Sequence, residues 1–395
     1  MKLAFVRTYD FPLGGAPQNR ALGICRGLIE QGHKIEVHVY APGRLDMSLN
    51  HLKSQIYRSV PIFNHSWRWA PAKGKLRQAF GIAEGFLRTL AALVKSNRGE
   101  HFDYIFLNNN KNFYALPFFI IAKLFGARLA RELNEYPLFV LSPERHSALG
   151  RYIRRQTNYR WFDDFLIMTK TLMEFYRPLA KKKARFMHLP MTVDLDRFPG
   201  PVQDLSQAHD ITYCGDLSQE KDGVLTLIEA YSLITNEFPS SQLRLLGENK
   251  NKSYMNELMD LVVKLGLKDK VVLMGFVHPE DIPDHLYKSR LLVLSRPDSV
   301  QARGGFPTKL GEYLATGVPV AVTAVGEIPD YLTDGVSAFI AEPGSVAIFA
   351  NAMRHALAND GNALKVGQAG RAIAVSHFSH SSQGKLISSF LSDRL

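Results

Sequence analysis

Short apolar runs recur along the chain, separated by turn formers and by stretches whose apolar residues return every three or four positions. Residues 2–7 form the first run, and Gly14-Gly15-Ala16-Pro17 follow it. Ala21, Leu22, Cys25, Leu28 and Ile29 then recur at helical spacing up to Gly32, before residues 35–39 alternate as a strand does. Strand, glycine turn, helix, strand is the repeating unit of a parallel sheet. The same grammar predicts strands at 104–107 and 165–168 and a helix at 118–125. After a stretch rich in turn formers, 198–209, it starts again. Strands are expected at 211–214, 242–246, 271–274, 291–294 and 319–322, with helices at 224–235, 254–265 and 308–315 between them. Each half therefore reads as a doubly wound α/β domain whose ligands bind at the carboxyl ends of the strands.

Length and composition agree with two domains: 395 residues, 46% hydrophobic and 22% charged. The expected boundaries are 1–197, a linker at 198–209, a second domain at 210–375 and a last helix at 376–395 that crosses back to the first domain. Cys25 and Cys214 are the two cysteines, which excludes a disulfide framework or a Cys-rich zinc site. The most apolar window, 114–127, is interrupted by Lys123 and is too short to span a bilayer. The N-terminal run is too short for a signal peptide, so a cytoplasmic protein is expected. Charge adds something new. Residues 1–200 carry 31 Lys and Arg against 15 Asp and Glu, whereas the remainder is mildly acidic within a total of +11. A basic first half suits an anionic partner surface.

The richest chemistry lies in 303–319, Arg-Gly-Gly-Phe-Pro-Thr-Lys-Leu-Gly-Glu-Tyr-Leu-Ala-Thr-Gly-Val-Pro. Gly304 and Gly305 allow close backbone approach, and Pro307 suits a helix start whose free amides and dipole attract an anion. Lys309 and Glu312 are three apart and share a helix face. Together they could meet a diphosphate and a ribose, or simply pair with each other as a surface salt bridge.

Taken with these residues, the ordered set Gly14-Gly15, Gly32-His33, Val193-Asp194, Gly215, Lys221-Asp222-Gly223, Leu246-Gly247, Gly275 and Gly326–Asp330 resembles glycosyltransferase family 4 from end to end. These are the retaining GT-B enzymes, and the Pro-x-Lys-x-x-Glu pattern at 307–312 resembles the subgroup that builds bacterial surface polysaccharides. The resemblance implies two Rossmann-like domains facing a cleft, a nucleotide-diphosphate sugar donor (UDP by default), a glycan or lipid-linked acceptor, and no obligatory metal or other cofactor. Lys221 and Lys309, with backbone amides at Gly14, Gly15, Gly305 and Phe306, are then the positive ends for the leaving diphosphate. Glu312 becomes the ribose ligand, and Gly215, Gly304 and Pro307 line the donor. Two positions depart from the pattern: Gly304 stands where the family's first signature glutamate falls, and Asp216 where an arginine is common. They keep open a non-catalytic protein of the same fold that binds a nucleotide sugar or glycan.

On the acceptor side, Glu132 and Glu135 stand where the family usually carries a histidine, and either could take the acceptor's proton. Leu76, Phe80, Ala83, Leu87, Leu90 and Val94 recur at helical spacing behind Trp67 and Trp69, among Lys73, Lys75, Arg77, Arg88 and Lys95. The stripe is expected to cover the sheet, as amphipathic helices of α/β domains do. Contact with an anionic membrane is the competing reading. Nucleic-acid binding would explain the charge but not the glycine-rich motifs, and no such partner is expected.

Overall fold

The computed structural model describes the chain apart from residues 9, 44–47, 71–73 (which include Lys73), 109–111, 143–146 and 394–395, and the side chains of 112–114 and 138–139. It divides into two compact units, Met1–Thr192 with His380–Leu395, and Val193–Ser379.

In the first unit the strands are β1 (Lys2–Arg7), β2 (Lys34–Val39), β3 (Ser54–Tyr57), β4 (Val60–Asn64), β5 (Tyr104–Leu107), β6 (Arg128–Leu133), β7 (Asp164–Ile167) and β8 (Arg185–His188). They form one sheet in the order β3-β4-β2-β1-β5-β6-β7-β8, parallel except for the β3–β4 hairpin. β1, β5 and β7 are buried throughout, which is why, apart from Lys2, Arg7 and Asp164 at their ends, they read as apolar runs rather than alternating ones.

The helix Ala16–Glu30 follows β1 and packs on the helix His380–Ser392, so the end of the chain returns to the first unit. Two glycines make this approach possible. A Cβ on Gly27 would collide with the His380 carbonyl, and one on Gly384 with the Gly27 backbone. Backbone cannot swing aside as a side-chain tip can. Gly384→Ala is therefore expected to cost about 1–3 kcal/mol, read as a lower denaturation midpoint. Gly99→Ala, with nothing near its Cβ, is the matched control.

The helix Lys75–Gly99 corrects the expectation drawn from its apolar stripe. It turns Gly81, Gly85, Thr89 and Leu93 inward. Gly85 lies so close to the Tyr40 carbonyl, and Gly81 to Trp69 and Pro42, that larger residues would not fit. Leu76, Phe80 and Leu87 are instead 78%, 64% and 66% exposed. The glycine edge packs more closely than leucines could, so the apolar stripe faces out.

The second unit holds β9 (Ile211–Cys214), β10 (Leu243–Leu246), β11 (Val271–Gly275), β12 (Leu291–Leu294), β13 (Val320–Thr323) and β14 (Phe339–Ala341). All run parallel, in the order β11-β10-β9-β12-β13-β14. Numbered within the unit this is 3-2-1-4-5-6, the Rossmann order, and the direction of winding reverses between β9 and β12.

Candidate functional site

The carboxyl ends of β9 and β12 are followed by Gly215 and by Ser295-Arg296. Beside them runs the helix Thr308–Thr316, with Pro307 at its N-cap position. Tyr313 ties this helix to the sheet: its hydroxyl accepts a hydrogen bond from the Cys214 N–H at 2.7 Å. Burial, reinforced by the neighbouring Glu312, pushes the Cys214 thiol up to about 12, so it stays protonated and acts as a small apolar side chain.

Lys309 and Glu312 do not pair with each other. The Lys309 ammonium donates to Asp222 Oδ2 at 2.7 Å and to the Tyr213 hydroxyl at 2.8 Å, and lies 4.5 Å from the centre of the Tyr213 ring. Tyr213 OH in turn lies 2.6 Å from the Asp216 carbonyl and 3.0 Å from Asp222 Oδ2. The buried Arg296 brings its Nε to 3.9 Å from Asp222 Oδ1. Burial alone would raise the Asp222 carboxyl, but Lys309, then Arg296 and the Tyr213 hydroxyl, outweigh it and hold the group below its ordinary value. One buried carboxylate thus stands between two cations.

Glycine is what lets this cluster sit at the turn. A Cβ on Gly215 would meet the Lys309 ammonium, and one on Gly223, whose φ is +68°, would meet the Ser295 carbonyl. Gly223 closes the short helix Gln219–Asp222, capped at its other end by the Ser218 hydroxyl, which accepts from the Lys221 N–H. Lys221 is carried on that turn, half-buried, and its carbonyl lies 3.4 Å from Arg296 Nε.

Glu312 Oε1 is taken by Arg197, whose Nη2 donates to the Pro279 carbonyl at 2.7 Å. Both side chains are largely buried. Arg197 closes the turn Leu195–Arg197, just after the Val193-Asp194 pair that the sequence singles out. Asp222, Tyr213, Arg296 and Arg197 are the members of the cluster that sequence reasoning missed. Only Asp222 had a local signal, standing between Lys221 and Gly223.

One expectation about backbone donors is overturned. The Gly305 N–H does not face outward but bonds to the Gln301 carbonyl at 3.1 Å, closing the short helix Val300–Gly304. Gly304, Gly305, Phe306 and Pro307 are all buried, and the Phe306 ring packs against Tyr331 and Phe378.

The remaining candidates lie in the first unit. Gly14 and Gly15 lead into the helix Ala16–Glu30, with Gly15 as its N-cap. Glu132, on β6, is bound by the buried Arg20, whose other nitrogens reach the carbonyls of Leu189 and Pro190. Arg20 thus ties that carboxylate to the backbone at 189–190. Glu135 is exposed just beyond β6, and its carbonyl accepts from the Tyr176 hydroxyl at 2.8 Å.

Residues 208–359 match the family model described as Glycosyl transferases group 1. Mannosylfructose-phosphate synthase of Agrobacterium fabrum is 33% identical over 134 residues, 33% of this chain and 28% of that protein. The GDP-mannose-dependent alpha-(1-6)-phosphatidylinositol monomannoside mannosyltransferase of Mycolicibacterium smegmatis is 26% identical over 223 residues, 53% of this chain and 57% of that one. The chain thus spans less than two thirds of either relative. Among solved structures, Anabaena HepE in complex with UDP and glucose superimposes over 100% of both chains, with a TM-score of 0.71 and 18% identity. The fold is GT-B, two Rossmann-like parallel-sheet domains.

Proposed function

We propose, from a GT-B fold whose second unit carries a group 1 glycosyl transferase segment, that the protein moves a sugar from a nucleoside-diphosphate donor to a glycan or lipid-linked acceptor of polysaccharide biosynthesis. The observation that carries this reading is the separate anchoring of Lys309 and Glu312. One helix brings both to the switch point of a Rossmann sheet, and each is held by a partner from another element.

In this reading the pyrophosphate lies over the turn at Gly215, near Lys309 and Lys221, where negative charge grows as the donor departs. Glu312, oriented by Arg197, accepts hydrogen bonds from the ribose hydroxyls. The bond between the anomeric carbon and the donor phosphate oxygen breaks, and its electron pair leaves with the nucleoside diphosphate. The acceptor oxygen bonds to the same face of that carbon, with retention, and its proton passes to the departing phosphate oxygen of the nucleoside diphosphate. No metal is assigned a part in these steps. UDP is the default donor nucleotide, as in the HepE complex, and GDP, which the mycobacterial relative's name specifies, is the alternative.

Asp222 offsets much of the charge of Lys309, and Gly304 offers the donor sugar no side chain. Both favour, as a second reading, a protein that binds a nucleotide sugar without turnover. Release of nucleoside diphosphate from UDP- and GDP-sugars, with and without lipid-linked saccharide acceptors, separates the two. Turnover of one donor, with an unchanged anomeric configuration in the product by NMR, is expected. Saturable binding with no turnover under any pairing would leave the non-catalytic reading standing.

A further inference from the structure

We infer that one face of the first unit docks on an anionic phospholipid bilayer. Three helices make up this face: Lys75–Gly99, Asn112–Phe125 and Ala148–Thr157. Ring contacts join them. Phe86 of the first meets Phe118 of the second at 5.4 Å, and Phe119 meets Trp161, just beyond the third, at 5.0 Å.

Each helix turns large apolar side chains to solvent. Leu76, Phe80 and Leu87 stand out from the first, Leu116, Ile120 and Leu124 from the second, and Leu149, Tyr152 and Ile153 from the third. In the last two helices these residues are spaced by three or four, so each set lies on one side. Exposed apolar side chains grouped on one face in this way mark a surface that something covers. The third helix makes the point most sharply. It has ten residues, none of them buried, and a helix this short gains little stability on its own.

Charge selects the occupant. Across residues 75–99, 112–125 and 148–161 there are ten Lys and Arg and one acid, Glu84, which Arg88 already pairs. Lys75, Arg77, Lys95, Arg98, Lys123, Arg154 and Arg155 are exposed among the apolar side chains. A second copy would set these cations against one another. A bilayer with anionic headgroups offers both halves of the match: phosphates for the cations and an acyl boundary for the leucines and aromatics. No helix among the described residues is long and apolar enough to cross a membrane, so the contact lies at the surface.

The inference does not depend on sugar transfer, and neither does its test. The full chain is sedimented with vesicles of phosphatidylcholine alone or mixed with phosphatidylglycerol, at low and high salt. Three proteins are compared: wild type, an apolar variant (Leu76→Ser, Phe80→Ser, Leu124→Ser, Tyr152→Ser) and a charge variant (Lys123→Gln, Arg154→Gln, Arg155→Gln). All seven side chains are exposed, and unchanged melting confirms that the variants fold. Wild type is expected to pellet with the anionic vesicles only. The apolar variant should bind at least about 10-fold more weakly. The charge variant should bind about 100-fold more weakly at low salt, with a shallower salt dependence. Equal binding to neutral and anionic vesicles would overturn the proposal, as would no binding to either or variants that bind like wild type. So would a concentration-dependent dimer of the wild type that the serine changes abolish, because that would assign the face to a second copy.

Discussion

Replacing Asp222 by alanine is expected to destabilise the second unit by about 3–5 kcal/mol, the cost of leaving buried charge uncompensated. Asp222 is 2% exposed, and it is the carboxylate that both Lys309 and Arg296 approach. Without it two cations face each other beside β9. Urea denaturation measures the loss. A second replacement, Lys309→Met in the Asp222→Ala background, should recover part of it, because the pair is then removed rather than broken. The pH dependence follows from the lowered Asp222 carboxyl. Its contribution is fully present above the unfolded value near 3.8 and fades as the pH falls through the lower folded value. The Asp222→Ala protein should lack that component of acid denaturation. An Asp222→Ala protein as stable as wild type would mean that the cluster holds nothing together.

Glu312→Gln should weaken binding of both the nucleoside and its diphosphate by about 10–100-fold, the worth of hydrogen bonds to a charged acceptor. The two losses should be similar, since the proposed contact is with ribose and not with phosphate. The fold is expected to survive. Glutamine keeps the side-chain volume and an oxygen for Arg197, which also retains the Pro279 carbonyl. Calorimetric titration gives the affinities, and a melting curve gives the stability. Undiminished binding would remove Glu312 from the site, while a loss confined to the diphosphate would move it from ribose to phosphate.

Much of the fold was legible because parallel strands buried on both faces announce themselves as apolar runs. Residues 2–7, 104–107, 211–214 and 291–294 coincide with β1, β5, β9 and β12. The β3–β4 hairpin was not legible. Its turn uses Arg58 and Ser59, both at positive φ, without the Asn or Gly that normally signals such a turn. Periodicity found the helix Lys75–Gly99 but not its orientation, because hydrophobic spacing cannot weigh a leucine stripe against a glycine edge that fits flush on the backbone.

In the second unit, spacing put Lys309 and Glu312 on one helix but could not supply their partners. Asp222 is 87 positions from Lys309, and Arg197 is 115 from Glu312. Such pairings are made by strand order, and no local window contains them. The Gly305 amide failed for the opposite reason: its partner, Gln301, is local, but the short helix that engages it has too few turns to show a period.

The most direct test is a thermal-shift titration of the full chain with UDP, GDP and ADP beside uridine, guanosine and adenosine. A ligand that binds only the folded protein adds about 2.7 kcal/mol at one hundred times its Kd. One diphosphate is predicted to raise the midpoint well beyond its own nucleoside, and Glu312→Gln should largely remove that shift. If no diphosphate moves the midpoint, or if all three do so equally and Glu312→Gln changes nothing, the nucleotide-sugar site proposed around Lys309 and Glu312 is contradicted.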